Sequence, residues 1–178
     1  MNKISLFVAT LGATVAIIVF AAARSSHAGE AVSPIYGVKI PDRYRSWIMI
    51  AVNQLVTPMG TQLRAQLGND IAFKAFQDGK RPFPDGSIIV ALHYTQVSSE
   101  SNNKVLDDIF PGDQSNVVGS RVNMQIMVKD SKKYAASGGW GFADFTGDKP
   151  GDEALHKTCF PCHEPAKDRD FVFAHFAP

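Results

Sequence analysis

Cysteine is scarce in this chain: of 178 residues only Cys159 and Cys162 are cysteines, and they fall within one short run. No thiol is left to staple distant segments, so stability has to come from a packed core. Methionine is nearly as sparse, and none of the five follows Met127. An excess of charge of one sign is also missing, since 18 Lys and Arg oppose 17 Asp and Glu. That balance removes the electrostatic case for nucleic acid or an anionic membrane as partner. There is no internal repeat, no low-complexity tract and no inter-domain linker. No strands alternate with long helices in the manner of a βαβ fold, which excludes a thioredoxin-like context for paired cysteines.

What the chain does hold is Cys159-Phe160-Pro161-Cys162-His163, a C-x-x-C-H run. Two thiols at this spacing can each add to one vinyl group of a haem, and the adjacent imidazole is then close enough to reach the iron. A redox dithiol, half of a zinc site or a local disulfide are the other readings of paired cysteines. A zinc site needs more ligands than His156 and His163, the nearby histidines, supply. The motif therefore predicts one covalent haem c, held through Cys159 and Cys162, with His163 on the iron.

The N-terminus fits that chemistry. Met1-Asn2-Lys3 is a positive start, residues 4–23 are uncharged and largely apolar, and Ser26-His27-Ala28 is a small-x-small cleavage signal. We read 1–28 as a signal peptide and 29–178 as a single haem domain, with the protein exported to a periplasm. A membrane attachment is expected only if the apolar segment stays uncleaved. After cleavage, sixteen Lys and Arg face seventeen Asp and Glu, a net charge of about −1.

Patterning predicts an α+β domain, mainly antiparallel sheet with a few short helices. Residues 47–52 form an apolar run read as a strand buried on both faces. Residues 61–67 alternate, with Thr61, Leu63, Ala65 and Leu67 opposite Gln62, Arg64 and Gln66. Asn69 or Asp70 caps a helix over 71–77, and the Pro82, Pro84, Asp85-Gly86 turn feeds a strand over 87–96. Residues 98–120 read as a polar loop with at most a helical turn near 105–109. Strands follow over 121–129 and 140–145, then a helix capped by Asp152 that carries the cysteines. A small helical electron carrier places its motif early and a methionine far downstream; neither holds here.

From Tyr44-Arg45-Ser46-Trp47 onward the chain resembles the cytochrome P-460 family, which includes the cytochromes c′-β. The matching segments are Phe83-Pro84-Asp85-Gly86-Ser87-Ile88-Ile89, Val128-Lys129-Asp130-Ser131-Lys132-Lys133-Tyr134, Gly139-Trp140-Gly141-Phe142, the cysteine motif, and Phe171-Val172-Phe173. The resemblance implies a compact β domain with one haem, a proximal histidine, an often open distal side, and frequent homodimers. It also implies where hydroxylamine-oxidising members differ. Their haem-linking lysine falls at Ala91, which has no amine. Their distal glutamate falls at Gln125, which cannot accept a proton near neutral pH. Both departures point to the ligand-binding branch.

If Ala91 and Gln125 face the haem, period two places Ile89 and His93 with the first, and Asn123 and Met127 with the second. The expected distal wall is Ile89, Ala91 and Met127 with Gln125 as its polar group, suited to a small neutral ligand such as nitric oxide. On the sequence alone, Asn123 and Gln125 could equally face solvent. Two other functions stand beside gas binding. One is a six-coordinate electron-transfer cytochrome serving a periplasmic redox partner, with His93 or Met127 as sixth ligand. The other is hydroxylamine or peroxide turnover, with Lys74, Lys80 or Lys104 making the cross-link. His156 is expected as an exposed helix residue, His175 as a candidate contact to a haem propionate, and Trp140, Phe142, Phe171, Phe173 and Phe176 as core.

Overall fold

The structure, a computed structural model, describes residues 31–177, so the expected leader lies outside the described residues. Six antiparallel strands form one sheet in chain order: β1 (Ile48–Thr57), β2 (Gly60–Gly68), β3 (Ile88–Ser98), β4 (Asn116–Lys129), β5 (Trp140–Thr146) and the short β6 (Lys149–Pro150). Helix α1 (Asp70–Gln77) joins β2 to β3, α2 (Glu100–Ile109) joins β3 to β4, and α3 (Glu153–His163) follows β6 and passes into a 3-10 turn, Glu164–Arg169. The α+β expectation holds, with mostly antiparallel sheet and three short helices.

Local chemistry sets these boundaries. Asn69 works in two directions: its Oδ1 accepts from the backbone N–H of Ala72 at 3.0 Å and of Ile88 at 3.0 Å, while its Nδ2 donates to Gly86 O at 2.8 Å. One side chain thus caps α1 and fixes where β3 begins. Asp152 caps α3 by accepting from Leu155 N–H at 2.8 Å.

Both sheet faces are covered. Val90, Leu92, Met124, Ile126, Ala143 and Phe145 pack under the lead-in segment through Val38, Tyr36, Ile40, Tyr44 and Trp47. On the opposite face Ile50, Ile89, Met127, Trp140 and Phe142 pack with Ala72, Ala75 and Phe76 of α1 and with Val172 and Ala174 of the tail. Because β5 is sandwiched, every residue from Trp140 to Phe145 is buried. A Cβ at Gly141 would collide with the Tyr134 ring, which explains a glycine in the middle of a strand.

The tail is locked by a buried ion pair. Lys129 Nζ lies 2.7 Å from Asp170 Oδ1 and also donates to Gly138 O at 3.1 Å. Asp170 Oδ2 accepts from Phe83 N–H at 2.7 Å, and Trp140 Nε1 donates to Asp170 O at 2.8 Å. Three of these bonds hold Asp170, which with Phe171 sits at φ 54 and 62, a left-handed pair without glycine that costs on the order of 1–3 kcal/mol per residue. Further on, Ala177 N–H donates to Ile50 O at 2.9 Å, which ties the tail across to β1.

Two expectations are corrected. The apolar run at 47–52 is not a doubly buried strand but the start of an edge strand, in which Ile50 and Ala51 are buried while Ile48, Met49 and Val52 remain exposed. A register shift between Met49 and Ala51 accounts for two consecutive buried residues. Residues 98–120 are not a loop: β3 runs to Ser98, α2 spans ten residues, and β4 begins at Asn116. No α2 residue is buried, although Val105, Leu106 and Ile109 cluster toward its C-terminal end. It is held instead by polar contacts, Asn103 Nδ2 to Ser98 Oγ at 2.8 Å and Ser115 N–H to Asn103 Oδ1 at 2.6 Å.

Candidate functional site

The sheet registers align residues of four strands into rows under α3. Gly68, Ile89, Met127 and Phe142 form one row; Gln66, Ala91, Gln125 and Asp144 form the next; Arg64, His93 and Asn123 form the third. Period two puts all three rows on one face. With α3 and the tail they enclose a cleft of about 280 Å³, lined by Ala91, Gln125, Met127, Cys159, Cys162 and His163. All six candidate site residues therefore meet in one place. Lys74, Lys80 and Lys104 are not among its lining residues, and no lysine is. A larger surface groove of about 420 Å³ near Arg43 and Tyr44 contains none of the motif residues.

The His163 ring is held in a fixed orientation on the cleft wall. Its Nδ1 lies 2.7 Å from the Phe171 carbonyl oxygen, so Nδ1–H donates there and Nε2 is left as the free nitrogen. Phe142 and Phe173 flank the ring, with centroids 4.9 and 5.2 Å away. Burial lowers its pKa, a shift that the hydrogen bond to Phe171 only partly opposes. Cys159 is half-buried on the wall and Cys162 is exposed at the rim. Burial first, then Asp144 and Cys162, push the Cys159 thiol up to about 11. A thiol so fully protonated at neutral pH is a poor redox nucleophile, which argues against a dithiol role. The cleft is small beside the roughly 300–1,000 Å³ of ligand sites in general. Two thiols and an imidazole with one free nitrogen, brought into one cleft, are a donor set that would fit a haem.

The sequence matches Cytochrome P460 over residues 41–174. The chain belongs to the cytochrome P460 family. It is a haem-binding cytochrome. No curated protein matches it.

Within this cytochrome P460 chain, Gln125 lines the cleft and stays solvent-exposed, Asn123 lies in the neighbouring row of the same face, and both spend their amide NH₂ on the same carboxylate. Asn123 Nδ2 lies 2.6 Å and Gln125 Nε2 3.1 Å from Asp144 Oδ2. His156 corrects the sequence reading: it is fully buried, not exposed. Its Nδ1 lies 2.7 Å from Asp152 O and its Nε2 accepts from Asp144 N–H at 3.2 Å, pinning α3 to β5. His175 pairs with Arg169 at 2.9 Å. Sequence reasoning missed Arg64, Gln66 and Asp144 as cleft residues. The alternation at 61–67 had already put Arg64 and Gln66 on one face; only the strand register shows what that face meets.

His93, on the cleft floor, is 2 % exposed. Burial, then the charge of Arg64, lower its pKa to about 4, with Asn123 opposing part of the shift. The unfolded chain then takes up a proton near pH 6.5, before the folded one does. Stability of the haem-free chain is expected to hold above pH 6.5 and to fall by up to about 3 kcal/mol as pH drops toward 4. Urea midpoints across that range, compared with His93→Gln, check this; equal slopes for the two proteins would refute it.

Proposed function

We propose that this cytochrome carries one haem attached covalently through Cys159 and Cys162, with His163 Nε2 as axial ligand, and binds a small ligand such as nitric oxide on the face toward β3 and β4. The single observation carrying this reading is that Cys159, Cys162 and His163 line the same cleft as Ala91, Gln125 and Met127. The haem supplies an iron able to take one exogenous ligand. The chain's residues do the rest: Ile89, Met127 and Phe142 give an apolar floor, Ala91 leaves space where a larger side chain would crowd, and Asp144 holds the Gln125 amide in place. Ala91 and Gln125 also count against hydroxylamine oxidation, since neither a linking amine nor a glutamate stands at those positions. The leader-like 1–28 segment supports export to a periplasm, where c-type haem is attached, with a redox partner there and a homodimer as further expectations.

A second reading rests on His93. Its imidazole lies on the cleft floor and stays neutral at neutral pH, as a sixth iron ligand requires. Such a protein would transfer electrons rather than bind gas. Absorption spectra of the haem-matured protein, oxidised and reduced, with and without nitric oxide, decide between them. A high-spin spectrum that shifts on ligand addition is expected. A low-spin spectrum indifferent to nitric oxide and carbon monoxide would overturn the gas-binding reading, and its persistence in His93→Ala would then exclude His93.

A further inference from the structure

Along β2, three successive residues of the cleft-side face carry a buried polar atom that no described residue satisfies: Gln62 Oε1, Arg64 Nε and Gln66 Oε1. Gln66 is only 7 % exposed, and both it and Arg64 line the cleft. Among the described residues, Arg64 enters none of the ion pairs, which join Lys74 to Asp78, Lys129 to Asp170 and Lys157 to Glu153. A partly desolvated guanidinium without a counter-charge is costly, and buried donors without acceptors are rare in folded proteins. Burial lowers the Arg64 pKa, and its charge in turn depresses His93, which faces it across the strand pair.

The cleft's other charge lies at the far wall. Asp144 on β5 is three strand spacings from β2, about 14 Å, and its carboxylate is already served by Asn123 and Gln125. An anion entering the cleft is repelled at the β5 end and attracted at the β2 end. Gln66 reinforces that preference, because turning its amide by 180° replaces the unsatisfied oxygen with an NH₂ donor beside Arg64.

We propose that Arg64, assisted by Gln66, is the anion-receiving group of the cleft and takes a carboxylate or small oxyanion onto its guanidinium. Two sources carry this chemistry: a propionate of the bound haem, or a free anion such as nitrite held in the cleft. The inference rests on the haem site of the preceding section for its first source and not for its second.

The test uses the haem-matured protein and its Arg64→Met and Arg64→Lys variants. Nitrite and carbon monoxide affinities are read from the haem spectrum, and the propionate bending bands from resonance Raman. If the anion is free, Arg64→Met weakens nitrite binding by about tenfold or more and leaves carbon monoxide unchanged, with Arg64→Lys intermediate. If it is a propionate, nitrite affinity is unchanged, the bending bands shift in Arg64→Met, and its thermal midpoint falls below that of Arg64→Lys. Unchanged affinities together with unchanged propionate bands would overturn the assignment. Should the purified wild-type chain hold no haem, the proposed function itself fails. Arg64 is then judged by calorimetric titration with nitrite, where binding lost in Arg64→Met supports the proposal and equal or absent binding refutes it.

Discussion

Lys129→Met is expected to cost about 3–5 kcal/mol, because it strands the Asp170 carboxylate in the interior without its counter-charge. A domain of this size is typically stable by about 5–15 kcal/mol, so the variant should be marginal at room temperature. The Asp170 carboxylate also accepts from Phe83 N–H, and its residue receives the Trp140 indole, so strain spreads into both the α1 side of the core and the tail. The double variant Lys129→Met/Asp170→Asn should recover part of the loss. Asparagine keeps an acceptor for Phe83 and brings no charge that needs neutralising. Urea denaturation of the wild type, both single variants and the double gives the coupling. A loss under about 1 kcal/mol for Lys129→Met would show that the pair is not the lock assigned to it. The effect should reach the proposed haem site as well. Asp170 immediately precedes Phe171, whose carbonyl orients His163, so a loosened tail should broaden the haem absorption band before the protein unfolds.

How much of this was legible beforehand depended on the range of each interaction. The C-x-x-C-H motif could be read because covalent chemistry fixes its spacing within five residues. Asn69 and Asp152 could be read as helix starts because a cap acts on an N–H three residues away. The faces of β3 and β4 followed from period two, and Ala91 and Gln125 do stand opposite one another. What escaped needed information no local window holds. Arg64 and Asp144 belong to the cleft through registers spanning four strands. His156 looked like surface because its partners, Asp144 N–H and the packed underside of α3, exist only once that helix has docked on β5. Helix α2 has no buried side, and β1 is apolar without being central, so hydropathy misled in opposite directions at the two places.

The other large effect is expected at His163. Changing a partner that orients a metal-bound histidine typically costs about 10–100-fold in metal affinity or activity, so loss of the histidine itself should cost at least as much. His163→Gly deletes the imidazole but leaves both cysteines and the aromatic cage of Phe142 and Phe173. The space left still offers the Phe171 carbonyl, which accepts an N–H at 2.7 Å in the native protein. Free imidazole can donate one N–H to that oxygen and present its other nitrogen to the cleft, as His163 does. The variant should lose the native coordination spectrum and regain it as imidazole is added. N-methylimidazole, which lacks the N–H, should restore it less well. The difference between the two additives measures the Phe171 hydrogen bond separately from ligation. A native spectrum in His163→Gly without any additive would place the axial ligand elsewhere, with His93 the next residue to change.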